Sequence, residues 1–135
     1  MRMIVLAALV VIAGLPARAD DAGHPPSPVF SSGMTFDEHT GETLYAGICQ
    51  GCHMANAKGA AGAGHYPALA ANPKLEAAGY PLSVVLHGLN GMPPVGQMMS
   101  DAQVAQVVNY VRTHFGNNYT DAVKPEDAKG LRDAK

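Results

Sequence analysis

Cys49-Gln50-Gly51-Cys52-His53 contains the only two cysteines of this 135-residue chain. They are separated by two residues, and a histidine follows the second at once. Read blandly, the pair is a local disulfide or half of a zinc site. Zinc normally needs four ligands, however, and no second cysteine pair exists. A thioredoxin-like redox pair needs a strand-helix-strand setting, which nothing in this sequence offers. What remains is covalent attachment of a c-type haem. Two thiols add to the vinyl groups on one porphyrin edge, and the adjacent imidazole becomes the proximal ligand of the iron. A single motif predicts a single haem c, held by Cys49, Cys52 and His53.

The N-terminus carries a matching address. Met1-Arg2-Met3 is a short positive region, the run from Ile4 to Ala13 is entirely apolar, Gly14 and Pro16 break it, and Ala17-Arg18-Ala19 has the form of a cleavage site. Residues 1–19 are therefore expected to be a cleaved secretory signal, too short in its apolar run to span a bilayer. Export to the periplasm fits the motif, since bacterial haem attachment of this kind takes place outside the cytoplasm. The full chain has a formal net charge of −2, and losing Arg2 and Arg18 makes the mature protein more acidic still, which argues against a nucleic-acid partner. Tryptophan is absent and aromatic residues make up 6% of the chain. A porphyrin filling the centre would compensate for that poverty of large apolar side chains.

Residues 20–34, with Pro25, Pro26 and Pro28 among Ser and Gly, read as a flexible arm. Thr35 and Glu38 fit a capping box opening a helix that runs to about Cys49, with Gly41 inside it and Leu44, Tyr45, Ile48, Cys49 and Cys52 on one face. The Gly- and Ala-rich stretch from Met54 to Ala71 reads as a loop wrapping one side of the porphyrin. A short helix is expected from Asn72-Pro73 to Gly79, and another from about Pro81 to His87, stopped by Gly88. Ser100 and Gln103 form a second capping box, with Met99 placed to staple onto Val104. Val104, Val107, Val108, Val111 and Phe115 then follow a helical stripe of about four turns, and Gly116 stands past its end. Residues 117–135 read as a polar tail in which Pro125 opens at most one more helical turn. No strand pattern is visible.

The far side of the iron decides the chemistry. A methionine sulfur there closes the coordination shell and raises the potential, which suits electron transfer; an open position suits an enzyme or a sensor. Met92 is the foremost candidate, because Asn90-Gly91 turns the chain sharply and Pro93-Pro94 stiffen it behind the sulfur. Met98 and Met99 compete, as do His65, His87 and His114. Met54 adjoins the proximal histidine and cannot cross the ring.

From about residue 36 to residue 116 the chain resembles the class I, single-haem cytochromes c. The resemblance rests on the helix leading into Cys49-x-x-Cys52-His53, the Tyr66-Pro67-Ala68-Leu69 segment, Gly91-Met92-Pro93, and Asn109-Tyr110-Val111-Arg112 in the last helix. Tyr66-Pro67-Ala68-Leu69-Ala70-x-Asn72-Pro73, Ser100-Asp101 and Phe115-Gly116-Asn117 are similar to the cytochrome c subunits of bacterial periplasmic dehydrogenases. The resemblance implies an all-α fold of about four to five helices around one haem, a cytochrome domain over residues 35–116, and a crossing of first and last helices at Gly41 or Tyr45 with Tyr110. It also implies that the Pro67 carbonyl accepts the His53 Nδ1–H. The implied function is non-enzymatic electron transfer from a periplasmic dehydrogenase toward another cytochrome or a terminal oxidase, across an uncharged rim at Gln50, Gly51 and the Met92 loop. If the methionine bond is absent or labile, a peroxidase-like enzyme or a gas sensor is the alternative.

Overall fold

The computed structural model describes residues 35–62 and 64–134. The signal sequence and the proline-rich arm expected over residues 1–34 lie outside them. The fold is all-α: α1 (Gly41–Leu44), a π-helical turn (Tyr45–Cys49) and α2 (Gln50–His53) follow one another without a break. Then come α3 (Gly79–His87), α4 (Asp101–Thr113) and α5 (Pro125–Asp133), with short 3-10 turns at Pro73–Leu75 and Val95–Met98. The junction residues Leu44, Tyr45, Cys49 and Gln50 are all right-handed helical, so α1 to α2 is one helix with a widened middle turn. Its register is marked by the Gln50 N–H donating to the Tyr45 carbonyl five residues back.

The first helix opens at Thr40, not at Thr35. Thr40 Oγ1 accepts from the Thr43 N–H at 3.1 Å and Thr43 Oγ1 from the Thr40 N–H at 3.2 Å, a complete capping box. Upstream, the Gln103 side-chain amide donates to the carbonyls of Phe36 (2.7 Å) and Glu38 (2.9 Å). That tie holds the segment as a non-helical strap against the start of α4, with Phe36 packed on the core. Carbonyls taken by Gln103 are not available to a helix beginning at Thr35.

α4 is the central element. Its N-cap is Ser100, boxed with Gln103, and Val104, Val107, Val108 and Val111 are all buried, as the stripe predicts. Met99 before the cap is 5% exposed and belongs to the same core. α1 crosses α4 at Gly41. A Cβ there would overlap the Gln106 carbonyl oxygen and come within 2.6 Å of Tyr110 Cβ, so only glycine permits this approach.

Three local expectations change. The loop after His53 contains a minimal hairpin, β1 (Ala60–Ala61) with β2 (His65–Tyr66), two residues a side and too short to register as an alternating pattern. Gly79 begins α3 where a helix end was expected, and Pro81 is accommodated in the first turn, where backbone N–H groups have no partner to lose. Finally, the tail is not frayed. α5 is a nine-residue helix with Ala128 fully buried, and Arg132 reaches from it to Asp101 Oδ1 (2.8 Å) and to the carbonyls of Gly96 and Met99 (3.0 Å each).

Candidate functional site

His53 is the last residue of α2 and is 7% exposed. Its Nδ1 lies 2.9 Å from the Pro67 carbonyl oxygen. A carbonyl only accepts, so Nδ1 carries a proton, and Nε2 is the nitrogen that can serve as a ligand. Cys49 and Cys52 are both free thiols, the first partly buried and the second exposed. Burial, and then the neighbouring Cys52, push the Cys49 thiol up to about 12. At that value Cys49 stays a neutral thiol near pH 7 rather than a thiolate. No group of three or more His, Cys, Asp or Glu side chains converges as a metal cluster among the described residues. Two free thiols and an imidazole engaged through Nδ1, with Nε2 making no hydrogen bond among the described residues, fit the donor set of a covalent haem c.

The backbone around His53 is tightly constrained. Met54 (φ 66, ψ 157) and Ala57 (φ 57) are both left-handed, the former in a region open almost only to glycine. The Met54 carbonyl accepts from the Tyr45 hydroxyl at 2.8 Å and from the Ala57 N–H at 3.0 Å. Burial, Cys49 and Tyr110 in that order push the Tyr45 phenol up to about 12, so it remains a donor at neutral pH. Across the loop, the Gly59 N–H donates to the His53 carbonyl (3.1 Å), and the Leu69 and Ala70 N–H groups both donate to the Ala57 carbonyl (2.8 and 2.9 Å). Asn117, buried, adds a bond to the Leu69 carbonyl at 2.9 Å. The Pro67 carbonyl is thus bracketed on both sides by bonded backbone.

Met92 is partly buried in a tight turn. Leu89 and Met92 exchange both backbone hydrogen bonds (3.1 and 2.9 Å) around Asn90, at φ 52, and Gly91. The turn borders a hollow of about 460 Å³ lined by residues 87–94, and none of Cys49, Cys52 or His53 is in that lining. The competing candidates are distributed differently. Met99 is core, Met98 is 39% exposed, and His65 and His87 are exposed. His114 stacks on Tyr110 with ring centroids 4.1 Å apart and engages the Tyr110 carbonyl through Nδ1 at 2.9 Å.

The sequence places Tyr45 on the inward face of the first helix and at the crossing with Tyr110, where the ring centroids are 5.8 Å apart, but shows neither the π-turn that carries it nor the burial of Arg112. The Tyr45 ring was legible as part of a helical stripe, but nothing local says where its hydroxyl points. Arg112, in the last turn of α4, is fully buried. Its guanidinium donates to the carbonyls of Leu75 and Glu76 (2.8 Å each) and of Asp121, and pairs with Asp121 Oδ1 at 2.6 Å.

Among known proteins, the chain is 30% identical over 140 aligned positions to the fructose dehydrogenase cytochrome subunit of Gluconobacter japonicus, covering 84% of this chain and 29% of that one. It is 29% identical over 135 positions to the cytochrome c subunit of a quinone alcohol dehydrogenase from Gluconacetobacter polyoxogenes, covering 81% and 28%. It is 30% identical over 114 positions to the gluconate 2-dehydrogenase cytochrome c subunit of Pantoea cypripedii, covering 71% and 24%. The chain thus spans less than a third of the length of each of these relatives. No helix among the described residues is long and apolar enough to cross a membrane. Residues 36–111 match the family described as cytochrome c oxidase, cbb3-type, subunit III, and with its haem-attachment motif and all-α fold the chain belongs to that family, as a class I single-haem cytochrome c domain.

Proposed function

We propose that this protein is a periplasmic electron carrier that takes single electrons from a dehydrogenase and passes them toward the respiratory chain, to another cytochrome or a terminal oxidase. The observation that carries the reading is the His53 imidazole, fixed through Nδ1 on the Pro67 carbonyl at the end of the helix that bears both free thiols. Cys49 and Cys52 would anchor the porphyrin, and His53 Nε2 would ligate the iron. Met92 would supply the iron with a second protein ligand from its stiff turn. When bound, the haem iron supplies one-electron redox chemistry. The chain's share is to hold both ligands in place, so that little reorganises on transfer, and to exclude water from the proximal side, where His53 is buried. The similarity to dehydrogenase cytochrome subunits supports the kind of donor. An uncharged rim at Pro93 and Pro94, both exposed, suits a small, short-lived interface.

The test is an optical spectrum of the exported protein, oxidised and then reduced. A covalent haem with the weak long-wavelength absorbance of an iron–methionine bond is expected in the wild type, and that absorbance is expected to vanish in Met92→Ala. A haem without it in the wild type, together with carbon monoxide binding or peroxide turnover by the reduced protein, would replace the carrier with a sensor or an enzyme.

A further inference from the structure

Among the described residues, Tyr45 is the aromatic side chain whose polar end reaches the backbone beside His53. Its ring is 3% exposed and packs against Tyr110 and Phe115, with centroids 5.8 and 4.8 Å away. Its hydroxyl leaves that apolar cluster to donate to the Met54 carbonyl at 2.8 Å. From there hydrogen bonds joined by short stretches of backbone lead back to the imidazole. The Met54 carbonyl also takes the Ala57 N–H at 3.0 Å, and the Ala57 carbonyl takes the N–H groups of Leu69 and Ala70 at 2.8 and 2.9 Å. Two residues before Leu69 stands Pro67, whose carbonyl accepts from His53 Nδ1 at 2.9 Å. The Tyr45 hydroxyl thus sits at one end of a backbone ring that the imidazole closes at the other. Met54 needs such an anchor, because its left-handed conformation is not one that a methionine adopts unaided.

We propose that Tyr45 is a positioning residue for His53: its hydroxyl, acting through the Met54 carbonyl and the Ala57 turn, holds the Pro67 carbonyl at its distance from Nδ1. The inference rests on the reading of His53 as the iron ligand. The chemical consequence follows from polarisation. A firm Nδ1–H···O bond makes the imidazole a richer donor, and a richer donor favours the more positive state of the metal. Loosening the ring of bonds therefore shifts the midpoint potential upward. Tyr45→Phe keeps the aromatic body and removes only the hydroxyl. Tyr110→Phe removes a neighbouring hydroxyl that takes no part in the path.

The experiment compares the haem-loaded full chain of the wild type, Tyr45→Phe and Tyr110→Phe. Two quantities are read: hydrogen exchange at His53 Nδ1 and at the Leu69 and Ala70 amides by NMR of the reduced protein, and the midpoint potential by redox titration. In Tyr45→Phe, exchange at these sites is expected to be faster by roughly two- to tenfold, the equivalent of one lost hydrogen bond, and the midpoint potential is expected to rise. Tyr110→Phe is expected to match the wild type in both. An unchanged potential in Tyr45→Phe overturns the inference, whatever exchange does, since the bond is then merely structural. An equal shift in Tyr110→Phe overturns it too, because ring packing and not the hydroxyl would be responsible. Absence of histidine ligation in the wild-type spectrum is a separate failure that removes the ligand reading and this inference together.

Discussion

At Gly59 the chain passes so close to the peptide joining Tyr66 and Pro67 that one methyl group decides whether the loop can hold its shape. A Cβ there would overlap the Tyr66 carbonyl oxygen and stand 2.8 Å from the Pro67 carbonyl carbon, and the residue's φ of +67 is itself costly for any side chain. Both effects point the same way, because the atoms pushed aside are the Tyr66 carbonyl and the neighbouring Pro67 carbonyl carbon, whose oxygen fixes His53. Gly59→Ala is expected to lower stability by about 2–4 kcal/mol, the sum of left-handed strain and displaced backbone. Chemical denaturation of the haem-loaded protein measures it, with loss of the His53 Nδ1 proton signal reporting the displaced carbonyl. The same substitution at Gly130, which has open space around it in the middle of α5, is expected to stabilise by about 0.5–1 kcal/mol. If both variants shift stability alike, close approach is not what Gly59 provides.

Among the elements, α5 differs most from its reading in the sequence. Its segment is polar in composition and its apolar positions are few. The docking is instead carried by the small residue Ala128, by Leu131 packed on the core, and by Arg132, whose three hydrogen bonds reach the 3-10 turn before α4, its flank and α4's first residue. The Arg132 and Asp101 side chains are only 25% and 29% exposed, so solvent screens the pair incompletely. Arg132→Ala is expected to cost about 1–3 kcal/mol, as loss of charge-assisted bonds does. It should also accelerate amide exchange throughout α5, whereas a frayed tail would respond by no more than a few tenths. What was legible in the sequence is what local chemistry determines: the Ser100–Gln103 box, the valine stripe of α4, the turn at Asn90-Gly91 and the five-residue haem motif. The close crossing at Gly41 also agrees with its expected partner, Tyr110. The rest depends on contacts distant in sequence. Gln103 holds the carbonyls of Phe36 and Glu38 and so delays the first helix to Thr40. The π-turn that ends at Cys49 adds no residue type that distinguishes it from an ordinary helix.

Considered as a whole, the molecule is tied together by polar side chains of α4 that cap other elements' backbones, with Arg112 the most consequential. Asn109 pairs with both backbone groups of Val123, at 2.8 Å each. Arg112 joins the turn before α3, the loop before α5 and α4 itself through one buried guanidinium. Its anionic partner among the described residues, Asp121, has a 70% exposed side chain, so the carbonyls and not the carboxylate make burial of this cation tolerable. The hydrogen bond from Arg112 nevertheless holds the Asp121 carboxyl below its ordinary value of 3.8. The sign follows directly: a depressed folded value gives stability that is present above the unfolded value and lost as pH falls through the folded one. Stability is therefore expected to be flat with respect to this group near neutral pH and to decline only below about pH 4, a decline that Asp121→Asn should reduce without a large loss at pH 7. Removing the cation is different in kind. Arg112→Ala leaves the carbonyls of Leu75, Glu76 and Asp121 without their donor and is expected to cost at least about 3 kcal/mol. Arg112→Lys keeps the charge, but a single ammonium cannot reproduce the planar fork, so it should recover less than half of that loss. Thermal melts of the three variants at pH 7 and pH 3.5 separate the two roles. Full recovery by lysine would mean that charge, and not the geometry of the donated bonds, is what α4 contributes at the centre of the fold.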